Sequence, residues 1–243
     1  MEDSLVAAIR ERFQRVLGQV TEAAARSGRD PQAVRLVVVT KSQPLEIVRA
    51  AVAAGASLLG ENYAEEAVEK MNALQNSEVE WHMIGHVQSR KAELVARYFT
   101  LLHSLDSLKL AARLDRFCSQ VGRRLPVLLE FNVSGEESKS GFPAWEERRW
   151  PELLPELEKL VQHPSLEVHG LMSMPPFFED PERTRSYFQR LRRLQEFLMS
   201  HLPQTDWREL SMGTSVDFVA AVEEGATYIR VGQAILGPRP AQR

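Results

Sequence analysis

The chain has 243 residues and a formal net charge of −3, from 30 Lys and Arg against 33 Asp and Glu. This near balance argues against nucleic acid as the principal partner. A single cysteine, Cys118, excludes an internal disulfide framework, and no apolar run approaches the roughly 18 residues of a membrane span.

Residues 4–27 repeat Leu5, Ile9, Phe13, Val16, Leu17 and Val20 at helical spacing, which predicts an amphipathic helix ahead of the first strand. The acidic opening Glu2-Asp3-Ser4 is unlike a signal peptide, so a cytoplasmic protein is expected. The unbroken run Leu36-Val37-Val38-Val39-Thr40 then reads as a buried parallel strand feeding a βα loop, with Lys41 at its carboxyl end. Counting this run as 35–40, the predicted strands continue at 57–60, 80–85, 100–104, 126–132, 166–172, 208–211 and 226–231. Helical patterns lie between them near 44–55, 62–75, 88–98, 107–121, 144–162, 181–202 and 215–224.

Eight βα units without a break predict an α/β fold of the closed (β/α)8 TIM-barrel type. One domain spanning 1–243 is expected, with residues 1–30 as the extra helix and 35–239 as the barrel. An open doubly wound sheet is the main competitor, because alternation alone does not show closure. Helix 181–202 carries Arg183, Arg185, Arg190, Arg192 and Arg193, while Tyr187, Leu191, Leu194 and Leu198 keep a separate apolar face. The arginines therefore read as a solvated surface.

Chemistry in such folds sits at the carboxyl ends of the strands. A desolvated Lys41 has a lowered pKa and can condense with an aldehyde; the plain alternative is a lysine marking where a strand meets water. Asn62 follows the second strand and reads either as a helix N-cap or as a ligand contact. His82 and His86 are spaced like a metal pair, but on a strand their rings would lie roughly 13 Å apart, so no metal is expected. Glu130-Phe131-Asn132-Val133-Ser134 and Lys139-Ser140-Gly141 are open between ligand contacts and ordinary loop chemistry. The seventh predicted strand closes with Ser211-Met212-Gly213-Thr214-Ser215 and the eighth with Arg230-Val231-Gly232-Gln233. Both turns put small residues where a helix begins, after the two strands where barrels often bind phosphate. Arg230, on the Tyr228 face by period-two alternation, would need an acceptor inside the barrel mouth.

Taken in order, these pieces form a recognisable set. It comprises Thr40-Lys41, Gly60-Glu61-Asn62-Tyr63, Trp81-His82-Met83-Ile84-Gly85-His86, Gln88-Ser89, Lys139-Ser140-Gly141, Gly170-Leu171-Met172, Ser211-Met212-Gly213 and Arg230-Val231-Gly232. The set resembles the pyridoxal phosphate homeostasis proteins, single-domain relatives of the barrel domain of alanine racemase, over about residues 35 to 239. The resemblance implies a fold-type III barrel holding pyridoxal 5′-phosphate (PLP). In it Lys41 matches the lysine of the internal aldimine, Asn62 a residue beside the ring, and Met83 a further cofactor contact. Ser211 and the backbone around Gly232-Gln233 match the phosphate cradle, which Gly213 and Gly232 would let approach closely, and Arg230 matches the arginine facing the pyridine nitrogen. Three positions depart from the family pattern: Thr214 for Met, Gln233 for Thr or Ser, and Arg90 for Asn.

The expected function is PLP homeostasis: the cofactor held as a Schiff base on Lys41 by a carrier that is not an enzyme. Alanine racemases complete a two-base site with a Tyr from a second domain, whereas only Pro238 to Arg243 follow Gly237 here. The alternatives are a weak PLP-dependent amino-acid racemase and a PLP-free barrel lyase using Lys41 on a sugar phosphate. PLP-dependent apo-enzymes are the expected recipients, with no nucleic acid or membrane partner, and a monomer fits the single domain.

Overall fold

A computed structural model describes residues 2–75 and 78–239; the ends of the predicted domain, Met1 and 240–243, lie outside them. The strands are β1 (Arg35–Val39), β2 (Leu58–Glu61), β3 (Glu80–Met83), β4 (Leu101–Leu105), β5 (Leu125–Asn132), β6 (Phe142–Pro143), β7 (Leu166–Met172), β8 (Glu209–Thr214) and β9 (Tyr228–Val231). Every pairing is parallel, in the order β4-β3-β2-β1-β9-β8-β7-β5, and β4 also pairs with β5. That last ladder, with β1 joined to β9 from Arg35↔Tyr228 to Val38↔Val231, closes the sheet into an eight-stranded barrel. The two-residue β6 only extends the carboxyl end of β5. Closure rules out the open doubly wound sheet.

Helices α2 (Leu45–Ala53), α3 (Ala64–Ala73), α4 (Ala92–Tyr98), α5 (Leu108–Gln120), α6 (Leu154–Leu160), α7 (Arg185–His201), α8 (Phe218–Glu223) and α9 (Gln233–Leu236) follow the barrel strands in turn. Three predicted helices begin as 3-10 turns, at Ser89–Lys91, Glu147–Leu153 and Pro181–Thr184. Within the longest of these Pro151 has no N–H to give, so an α-helical ladder cannot run through it. The predicted helix 215–224 starts only at Phe218, because the Thr214 N–H and hydroxyl both donate to Asp217 Oδ1.

The N-terminal helix α1 (Glu2–Arg26) packs against α2, α8 and α9, burying Ile9, Val16, Val20, Ala23 and Ala24. It therefore straps the first βα unit to the last two. Arg12 Nε donates to the Ile235 carbonyl at 2.5 Å, and Arg29 to those of Val222 and Ala226. Inside the barrel, Val37, Leu101, Leu128, Met172 and Tyr228 form a separate apolar cluster. The Tyr228 ring meets His82 and His103 edge-on, at 5.6 and 5.2 Å between centroids. At the amino-terminal mouth Arg35 pairs with Glu209 and lies 3.8 Å from the Tyr228 ring centre, so the barrel is filled and plugged from that side. Only the carboxyl-terminal mouth stays open.

Candidate functional site

A cavity of about 400 Å³ occupies that open mouth, within the size range of small-ligand sites. Lys41, Asn62, Arg230, Gly232 and Gln233 line it together, although they come from three separate stretches of sequence. β1 ends at Val39, and the Thr40 N–H still reaches the Gly60 carbonyl at 3.0 Å, so Lys41 stands just beyond the ladder. Burial first, and then the nearby cations Arg239 and Arg230, lower the Lys41 pKa; Glu61 opposes them. A larger share of its amine is thereby neutral and nucleophilic near pH 7.

Asn62 is not a helix cap. α3 begins at Ala64 with Tyr63 in the cap position, and the Asn62 Oδ1 is a buried acceptor with no partner among the described residues. It is pressed into place by Gly85, where a Cβ would come 2.6 Å from the Asn62 Cα. An unpaired buried acceptor costs free energy unless something donates to it.

Arg230 is 4% exposed and points into the barrel. It donates to Ser211 Oγ at 2.5 Å, to the Ser173 carbonyl at 2.9 Å and to Met174 Sδ at 2.8 Å. Burial pulls its pKa down to about 10, against Asp217 and Glu130 which raise it, so the guanidinium remains a cation at neutral pH. Behind it Ser211 Oγ also meets His103 Nδ1 at 2.7 Å, and His103 Nε2 meets His82 Nδ1 at 3.0 Å. Desolvation holds His103 well below, and His82 below, the usual imidazole range, so both rings are neutral and the chain of contacts orients one cation. His82 is thus an interior residue and His86 a rim residue paired with Asp106 at 2.9 Å. Among the described residues no three metal-ligating side chains cluster.

Three residues expected at the site do not line the cavity. Ser211 is mid-strand rather than terminal, because β8 runs on to Thr214, and its hydroxyl lies beneath Arg230. Gly213 has φ +92° and faces α8, where a Cβ would stand 2.5 Å from Ala221 Cβ; it lets that helix pack on its strand. Met83 is buried and lines a second hollow of about 500 Å³, outside the rim, that shares Asn62 and His86 with the first.

In their place the structure brings Ser215 and Glu130. Ser215 Oγ accepts from the Gly232 N–H at 3.1 Å, tying the turn after β8 to the turn after β9. Glu130 lines the cavity at 8% exposure, its carboxyl pushed up to about 7 by burial and by Asp106, against Arg230, His86 and Lys139. Its signal was present in the sequence: two residues after the inward-facing Leu128, it is the one ionisable side chain of its strand.

The same mouth can be compared with known proteins. Residues 13–240 match the model of the family described as alanine racemase, N-terminal domain. The chain is similar to a pyridoxal phosphate homeostasis protein of Pseudomonas aeruginosa, at 41% identity over 95% of this chain and 96% of that one. A namesake from Aquifex aeolicus is 37% identical over 94% and 97% of the two chains. Among solved structures, PipY of Synechococcus elongatus with PLP bound matches at a TM-score of 0.79 and 34% identity, over 94% of this chain and all of that one. Alanine racemase of Clostridium difficile shares the fold, at a TM-score of 0.70 and 12% identity, over 97% of this chain and 58% of that one. An alanine-racemase-type barrel with a lysine at its rim, matched nearly end to end by such relatives, belongs to the pyridoxal phosphate homeostasis protein family.

Proposed function

We propose that this protein captures PLP as a Schiff base on Lys41 and holds it for delivery to PLP-dependent apo-enzymes, serving as a carrier rather than an enzyme. PLP supplies an aldehyde for an amine and, when bound in an enzyme, an electron sink. The observation that carries the reading is one cavity lined by a half-buried lysine, a residue with an unpaired buried acceptor and a buried cation, Lys41, Asn62 and Arg230. Each suits a different edge of the cofactor. Lys41 Nζ would meet the aldehyde, Asn62 would lie beside the ring, and Arg230 would face the ring nitrogen. The Ser215 hydroxyl, tied to the Gly232 N–H, and Gln233 would supply donors to the phosphate, with Arg239 adding positive charge. Ser211, Gly213 and Met83 support the site from behind: under Arg230, under α8, and beside Asn62.

Arg230 supports a carrier role. A guanidinium that keeps its proton would donate to the ring nitrogen and leave it unprotonated, weakening the electron sink that carbanion chemistry needs. The test is the mass of the intact protein after borohydride reduction with PLP. One reduced pyridoxyl phosphate group is expected, on Lys41, and Lys41→Ala should lose both the adduct and the visible band while keeping weak PLP binding through the phosphate turns. A full visible band in Lys41→Ala would show that another lysine holds the cofactor.

One observation favours slow amino-acid turnover as a second reading: Glu130 and His86 give the cavity an acid and a base besides Lys41. Loss of optical rotation from an L-amino acid, abolished in Glu130→Gln, would support it.

A further inference from the structure

Lys41 sits on a tight turn that is held from behind by α3. The Gln43 N–H donates to the Thr40 carbonyl at 3.1 Å, so Lys41 and Ser42 are its two inner residues. Ser42 has φ +57° and is the one non-glycine residue with positive φ among those described. That third turn position normally takes Gly or Asn, so a serine there needs an external hold. Glu66 provides it: the Ser42 N–H donates to Glu66 Oε1 at 2.9 Å.

The other side of Lys41 is held by Lys70, one helical turn beyond Glu66 and 6% exposed. Its ammonium donates to the Thr40 carbonyl at 2.8 Å, to Glu61 Oε1 at 2.7 Å and to Glu66 Oε1 at 2.6 Å. All three of its protons are used. Thr40 Oγ1 also donates to Glu61 Oε1, at 2.7 Å. Both neighbours of Lys41 are therefore tied to one buried ion cluster, while no described residue hydrogen-bonds the Lys41 amine itself. A cluster serving stability alone would gain little over apolar side chains of similar volume. This one spends two of its contacts on the main chain flanking a single lysine.

We propose that Lys70 and Glu66 are positioning residues that fix the Thr40–Ser42 backbone so that the Lys41 amine projects into the cavity ready to meet an aldehyde. The proposal rests on the reading of Lys41 as the cofactor anchor. The geometry of attack is then set before PLP arrives, and the cluster governs the speed of capture more than the extent of folding.

The experiment mixes the apoprotein with PLP and follows the visible band and its induced circular dichroism. It compares the wild type with Glu66→Ala, Glu66→Gln and the double variant Lys70→Met/Glu61→Gln. Glu66 is partly exposed, so its variants should fold, and the double variant leaves no unpaired buried charge. Glu66→Ala is expected to slow capture about tenfold, inside the roughly hundredfold that an ångström of misplacement costs, and to weaken the induced dichroism. Glu66→Gln keeps an acceptor for the Ser42 N–H and should restore most of the rate. The double variant removes the Lys70 contact from the Thr40 carbonyl and should slow capture like Glu66→Ala. Wild-type rate and dichroism in both Glu66→Ala and the double variant would overturn the proposal alone. A wild type that shows no borohydride-reducible adduct would overturn the Lys41 reading, and this proposal with it.

Discussion

Glu130 offers the sharpest physical test of the cavity, because its carboxyl is buried with no bonded cation among the described residues. Burial and Asp106 raise its pKa from 4.5 to about 7. Between those values the folded chain still holds a proton that the unfolded chain has released, so folding stability falls as pH rises through the window. At about 1.4 kcal/mol per pH unit, the whole interval corresponds to roughly 3 kcal/mol. Glu130→Gln is nearly isosteric and carries no proton to lose, so it escapes this cost. Urea unfolding of the two apoproteins should give similar stabilities near pH 4. By pH 8 the variant should be ahead by up to roughly 3 kcal/mol, or roughly 6 to 12 °C in Tm for a chain of this size. Using apoprotein matters, because a bound ligand adds its own stabilisation by mass action. A difference that stays flat with pH, or that favours the wild type at pH 8, would mean that the carboxyl is solvated and that the mouth is wetter than its walls imply.

Three further outcomes test other parts of the structure. Gly213→Ala should lose about 1 to 3 kcal/mol by urea titration, from its positive φ and the 2.5 Å approach to Ala221 Cβ; an unchanged midpoint would refute the packing role. Cys118 is fully buried with its thiol pushed up to about 11, so a thiol reagent at pH 8 should label it only after denaturation, and rapid labelling of the native protein would contradict that burial. Gln233→Thr introduces a hydroxyl at the start of α9; a gain of about 1 kcal/mol should tighten PLP binding roughly fivefold by equilibrium dialysis, and no change would place position 233 away from the phosphate.

Much of this was legible in the chain because buried parallel strands leave short apolar runs, and a lysine ending one of them stands out. Arg230 was legible for a related reason: alternation in a four-residue strand assigns it to the Tyr228 face, and the fold confirms that this face looks inward. Ser211 was harder. Its strand runs three residues past the predicted end, with a register shift between Ser211 and Thr214, and nothing local announces that a serine will lie under Arg230 instead of at the rim. Asn62 read locally as a helix N-cap before a ligand contact, and only the start of α3 at Ala64 set the cap aside. The cluster of Lys70, Glu66 and Glu61 was invisible as a unit, since an i,i+4 Glu–Lys pair on a helix ordinarily faces water.

Periodicity and composition by themselves determined the repeating βα architecture, the absence of a disulfide framework and the strand ends where chemistry would concentrate, because burial on both faces writes itself into hydrophobic runs. Closure of the ring, which strand ends face one another across the mouth, and which polar groups are stripped of water there were decided only by tertiary structure. Those properties depend on register and on distances between residues far apart in the chain. A cavity wall assembled from β1, β5 and β9 leaves no mark on any one of them.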